Sequence, residues 1–200
     1  MVSWLAAIWE PRPDARTAVA GEWFRPALVD QGPYVHGTPF DLLIGGSAAA
    51  PTVRWAQLGV RVHAWSVDIG VVLAADPAPA VTMVSLMRRH PAMTAPEFAE
   101  HWRERHAPLA LRRHVGLVDY RQGVVTETLT PSAPDIDGVA LLGFASREDF
   151  EQRFFDSDEG RAEIMADVAR FMDRPGRETT LVGPPGTAGP TEEPDRLRRP

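Results

Sequence analysis

Two hundred residues, 44% of them apolar, are enough for one large domain or two small units with real cores. A net charge of −6 excludes a chain built around a basic nucleic-acid face. There is no cysteine and all 21 basic residues are arginine. Disulfides, thiolate nucleophiles, Cys-ligated metals, a Schiff-base lysine and a Walker-type lysine are therefore ruled out.

No stretch of eighteen apolar residues is present, so no membrane span is expected. The N-terminus lacks the basic flank of a signal peptide, and the expectation is a cytoplasmic protein. VSWLAAIW at 2–9 reads as an apolar strand stopped by Pro11 and Pro13. Asp14 is a candidate cap for a helix from Ala15 to about Leu28, with Val19, Trp23 and Ala27 on one face. Gly37, Gly45, Gly46 and Pro51 mark turns, and FDLLI at 40–44 has strand character. LGVRVHAWSV at 58–67 and VVLA at 71–74 read as two strands, followed by a linker at 75–80.

VTMVSLM at 81–87 is a second apolar strand of the first kind. The next segment, TAPEFAEHWRERHAPLA, organises the second half. Thr94 and Glu97 form a capping-box pattern, and Pro96 sits in the first turn, where a missing N–H costs nothing. Phe98, Trp102 and His106 recur every four residues on one face. Pro108 predicts that the helix ends or kinks there. Leu117 to Thr128 and Gly138 to Phe144 read as strands. Ser146 with Asp149 starts another helix, DSDEG at 156–160 breaks or recaps it, and Ile164, Val168, Phe171 and Met172 continue it. Glu178 to Val182 is the last predicted strand, and 184–200 has the composition of a disordered tail.

A shift of 79 residues without a gap lays Val2–Trp9 on Val81–Arg88, Trp23 on Trp102, Gly37 on Gly116 and Trp65 on Phe144. In this register Ala27 falls opposite His106. The expected architecture is α+β. A βαββαβ unit at 79–183 is closed into an α+β barrel by a reduced repeat at 1–78, an internal pseudo-dimer.

MVSLMRRHPAMTAPEFAEHWRERHAPLALRRH, then GLVDYRQGVV, then DIDGVALLGF, resemble the EthD-domain family of dimeric α+β barrel proteins over about 81–183. Trp102 to Leu109 carries the most specific part, and Tyr120 and Asp137-Gly138 also fit. The resemblance implies a ferredoxin-like fold. Some relatives, including polyketide cyclases and muconolactone-type isomerases, work without a cofactor in a pocket between sheet and helices; others are accessory proteins. The reduced repeat leaves a monomeric pseudo-dimer or a homodimer as the expected state.

His106 is either a buried histidine tied to its surroundings or a general acid–base tuned by the helix C-terminus and by burial. Tyr120 could donate a hydrogen bond to a carbonyl or enolate oxygen. Arg88 could hold a carboxylate or enolate, or make a surface ion pair. Trp102 and Phe144 are core residues that could line a pocket, and Asp137 precedes a glycine where a turn or a ligand contact would fit. His101 and His106 are five apart, roughly 140° around an α-helix, so no zinc-type pair is expected, and no metal. Gly45-Gly46-Ser47 lacks the flanks of a nucleophile elbow. The expected protein is a cofactor-independent enzyme on a small apolar carbonyl compound, a cyclase, dehydratase or isomerase. The alternatives are a carrier for such a molecule and a cofactor-free monooxygenase. Neither nucleic acid nor membrane is expected as a partner.

Overall fold

The structure, a computed structural model, describes residues 2–15, 23–47, 54–173 and 178–187. Among them the strands are β1 Val2–Pro11, β2 Trp23–Pro26, β3 Leu42–Gly46, β4 Gly59–Leu73, β5 Val81–Met87, β6 Leu117–Thr128, β7 Gly138–Phe144, β8 Glu178–Val182 and β9 Gly186–Thr187. The helices are α1 Ala95–His101, a π turn Trp102–His106, α2 Ala107–Arg113, α3 Arg147–Gln152 and α4 Asp158–Phe171. No helix is long and apolar enough to cross a membrane.

The strand order is β8-β5-β7-β6-β4-β1-β3-β2-β9, and the named pairings are antiparallel. Each half repeats one pattern. The second half runs fourth-first-third-second (β8-β5-β7-β6), the ferredoxin-like order, and so does the first (β4-β1-β3-β2). The halves meet twice. β4 pairs β6 along one seam. At the other seam, Ala27 bridges Val182, Leu28 N–H donates to Leu181 C=O at 2.9 Å, and Gly183 N–H donates to Pro26 C=O at 2.8 Å. The sheet thus nearly closes into an α+β barrel. Inside it, Arg25 reaches across this seam to Thr82 Oγ1 at 3.0 Å and the Gly183 carbonyl at 3.2 Å. Burial lowers the guanidinium to about 10, with Asp119 opposing the shift, so Arg25 stays charged at neutral pH.

The gap-free 79-residue register does not survive. By strand order β3 matches β7 and β4 matches β8, whereas that register laid the start of β4 on β7. The first half crosses from β1 to β2 through 12–22, but the second crosses from β5 to β6 through 88–116. The repeats therefore drift out of phase after their first strand. Ala27 is a seam residue, not the counterpart of His106.

Most of the expected helix from Ala15 lies outside the described residues, and its end is strand β2. There the side chains alternate: Trp23 packs against the barrel interior and Phe24 against the outer layer. The two strands expected at 58–67 and 71–74 are one, β4, which absorbs its irregularity as register shifts at Ser66/Val67 and Val71/Leu73. The start of the expected tail, Gly186–Thr187, pairs with β2; residues 188–200 lie outside the described residues. The helix expected to end or kink at Pro108 does not end there: it passes through the π turn and runs on to Arg113. A proline ring inside an α-helix collides with the carbonyl four residues back. The wider π turn just before Pro108 accommodates it, with Ala107 N–H bonding back to Trp102 C=O.

The alternation of β1 and β5 divides the apolar residues into layers. Leu5, Ala7, Trp9, Leu43, Trp65 and Val67 of the first half fill the barrel with Val84, Leu86, Val139, Leu141 and Val182 of the second. On the outside of the second half, Met83, Met87, Tyr120, Leu142 and Phe144 meet Phe98, Trp102, Phe154, Ile164, Val168 and Phe171. Gly138 is required there, because a Cβ would lie 2.8 Å from the Trp102 ring.

Each buried Val or Leu contributes about 1.5–3 kcal/mol. The five second-half residues in the barrel are thus worth roughly as much as the whole stability of a domain, about 5–15 kcal/mol. A fragment starting at residue 79 is expected to aggregate or dimerise through this bared face. Light scattering checks this; a monomeric fragment with an unchanged melting temperature would contradict it.

Candidate functional site

A cavity of about 1230 Å³ lies between the second-half sheet and its helices. β5, β6 and β7 supply its floor through Met83, Ser85, Met87, Tyr120, Ala140 and Leu142. The π turn supplies Trp102 and His106, and α4 supplies Arg161, Ile164, Met165 and Val168. Pro33, Tyr34, His36 and Gly37 of the first half form one wall. They belong to a strap that runs along β8. Gln31 exchanges hydrogen bonds with the Leu181 backbone, Thr179 N–H donates to His36 C=O at 2.9 Å, and Tyr34 stacks on Phe154 with ring centres 4.4 Å apart. Gly37 has φ of +80°, open to glycine without strain, and its Cα faces Glu178.

His106 is 8% exposed. Its Nδ1 lies 2.9 Å from Asp167 Oδ2, while His101 Nε2 lies 3.0 Å from Asp167 Oδ1. In the π turn residues five apart are one turn apart, so both histidines face the same carboxylate of α4. The 140° separation expected from α periodicity does not apply. Phe171 packs on both rings, with centres at 5.1 and 4.9 Å. Burial pushes the Asp167 carboxyl up, but the hydrogen bonds from His106 and then His101 outweigh it and hold the group below its ordinary value. A carboxylate accepting from Nδ1–H fixes the His106 tautomer and leaves Nε2 as the ring nitrogen open to the cavity.

Tyr120 is 1% exposed. Its hydroxyl accepts from Trp102 Nε1 at 2.9 Å and Gln122 Nε2 at 3.1 Å. Gln122 also donates to Trp102 C=O at 3.0 Å, which ties β6 to the π turn. Burial raises the phenol to about 12 against these two bonds, so it stays protonated. With its lone pairs engaged, its own O–H is left for an acceptor in the cavity.

His114 was not singled out from the sequence. It is buried behind α2, and its Nδ1 bonds the Phe154 carbonyl. Burial pushes it down to about 4, opposed by that bond and reinforced by His106, so the ring is neutral. No sequence signal marks it, because its contact is to a backbone carbonyl forty residues away.

The structure brings His106, Tyr120, Trp102 and Arg88 to one cavity. Asp137 and Phe144 stand elsewhere. Asp137 accepts from the Arg89 backbone N–H at 2.8 Å and pairs with the Arg89 guanidinium. Phe144 stacks with Phe154 in the aromatic core, 5.5 Å between centres. Among the described residues no three His, Asp or Glu are placed to hold a metal ion.

The depressed value of His114 has a linked effect on stability. The unfolded chain takes up this proton near 6.5 and the folded chain only near 4. The stability it supports is complete above about pH 6.5 and is lost as pH falls towards 4, by on the order of 3 kcal/mol. His114→Gln, which keeps a donor but cannot titrate, should flatten urea-unfolding stability between pH 7 and 4.5. An unchanged slope would place the acid sensitivity elsewhere.

No curated protein matches the chain in sequence. Two solved structures share its architecture. An anthrone oxidase-like protein is 10% identical with a TM-score of 0.61 over 94% of each chain. A provisionally assigned monooxygenase from Lactobacillus acidophilus NCFM is 9% identical with a TM-score of 0.51, over 94% of this chain and 96% of that one. At these identities the likeness is one of fold. The family model of the EthD domain matches residues 90–175, the segment that builds the helical wall of the cavity and much of its floor.

Proposed function

We propose that the protein is a small-molecule enzyme that moves a proton at a carbon activated by a carbonyl, on an apolar, ring-bearing substrate. The observation that carries this reading is that His106, oriented by Asp167, and the protonated Tyr120 share one cavity. His106 Nε2 accepts the substrate proton, and Asp167 stabilises the imidazolium. The electron pair moves onto the carbonyl oxygen, where the Tyr120 O–H meets the developing charge; Trp102 and Gln122 fix that hydroxyl in place. Return of the proton to another carbon gives isomerisation, and attack of the carbanion on a second carbonyl of the same chain gives cyclisation. This cluster also favours catalysis over carriage, since a carrier has no use for an oriented base.

Oxygenation is a second reading, favoured by the names of the two structural neighbours. The same carbanion would react with O2, and the resulting hydroperoxide would lose water to leave a new carbonyl.

Anthrone serves as probe for both. Its ring CH2 should exchange with D2O anaerobically in the presence of the protein, as followed by NMR. His106→Ala should slow this roughly 10²-fold or more, and His106→Gln should restore stability without restoring exchange. Tyr120→Phe should slow it by roughly 10²- to 10³-fold. Oxygen uptake with anthraquinone formation in air would select the oxygenase. Binding without exchange or uptake would favour the carrier.

A further inference from the structure

The chain carries a net charge of −6, yet two arginines line its cavity. The cations that line it are Arg88 and Arg161, against a single acid, Glu178, since the buried His114 is neutral. The two arginines are exposed, whereas His106, His114 and Tyr120 are buried. The arginines therefore mark the mouth and the proton-transfer groups the depth.

Neither arginine is committed to a carboxylate. Arg89, the next residue, is locked to Asp137, and Arg113 on α2 pairs with both Asp156 and Glu163. Arg88 spends only its Nε, on the Asp135 carbonyl at 3.0 Å, and Arg161 makes no ion pair among the described residues. An unpaired guanidinium at the mouth of a cavity in an acidic protein attracts an anion and binds a carboxylate through parallel N–H bonds.

We infer that the ligand of this cavity is an acid: an apolar ring body enters, and its carboxylate is held at the mouth by Arg88 and Arg161. This rests on the proposed proton-transfer reading and adds the substrate class. The body then lies against Met83, Met87 and Ile164 with its activated carbon towards His106, while the anionic end stays in partial contact with water. The carboxylate would fix which ring position reaches the base.

Fluorescence titration of the full-length protein with anthracene-2-carboxylate and with its methyl ester tests the inference. The carboxylate should bind at least about tenfold more tightly than the ester in low salt, and the advantage should shrink as salt is raised. Arg88→Met and Arg161→Met should each weaken carboxylate binding while leaving ester binding unchanged, and the double variant should show no preference. Thermal melts confirm that the variants fold. Equal affinity for both probes in the unaltered protein, or a preference that persists in the double variant, overturns the acid ligand while leaving the proton-transfer reading standing. Failure of both probes to bind overturns both.

Discussion

The apolar inner face of the second-half sheet is the constraint from which the rest follows. Helices cover only the outer face of that sheet. Val84, Leu86, Val139 and Leu141 must be buried by something else, and the first half supplies Leu5, Ala7, Trp9, Leu43 and Trp65. Because both sheets use one strand order, the edge of each meets the edge of the other. The β4–β6 pairing forms one seam and the Ala27–Val182 bridge begins the other. Arg25 is the polar cost of closing the second seam from inside, offset by Thr82, Gly183 and the nearby Asp119.

Closing that seam also shapes the cavity. The chain leaves β2 at the seam and must return to β3, and the strap between them follows the free edge of β8. An exposed edge would invite pairing with another chain, and the strap protects it. Its middle, Pro33 to Gly37, then lies against the aromatic side chains of the second half and becomes a cavity wall. The first half is thus both a cover for the sheet and a part of the site.

The π turn plays a similar double part. It lets the helix pass Pro108 without a clash, and it changes the spacing of side chains along one turn. His101 and His106 then converge on Asp167, and the Trp102 carbonyl accepts from both Ala107 and Gln122. The same segment sets the His106 orientation and anchors the Tyr120 hydroxyl through Trp102.

Much of the second half was legible in sequence because its signals are local. The Thr94–Glu97 capping box is present with both reciprocal bonds, Ser146 and Ser157 cap their helices, and the strands at 81–87, 117–128 and 138–144 lie where their apolar patterns put them. His106, Tyr120, Trp102 and Arg88 stood out as chemistry-bearing residues for the same reason. The first half was read less well. Trp23 and Phe24 suit one helix turn or two faces of a strand, and only the Gly45 backbone and the outer layer decide between them. A gap-free repeat could not reveal crossovers of unequal length. Asp137 could not be assigned to Arg89, nor Asp167 to two histidines, because those pairings depend on which elements the barrel brings together. Residue types and local spacing determined the elements of the second half and the candidate groups; packing over long sequence separations decided the carboxylate that His101 and His106 share, the neutral His114 and the strap that walls the cavity.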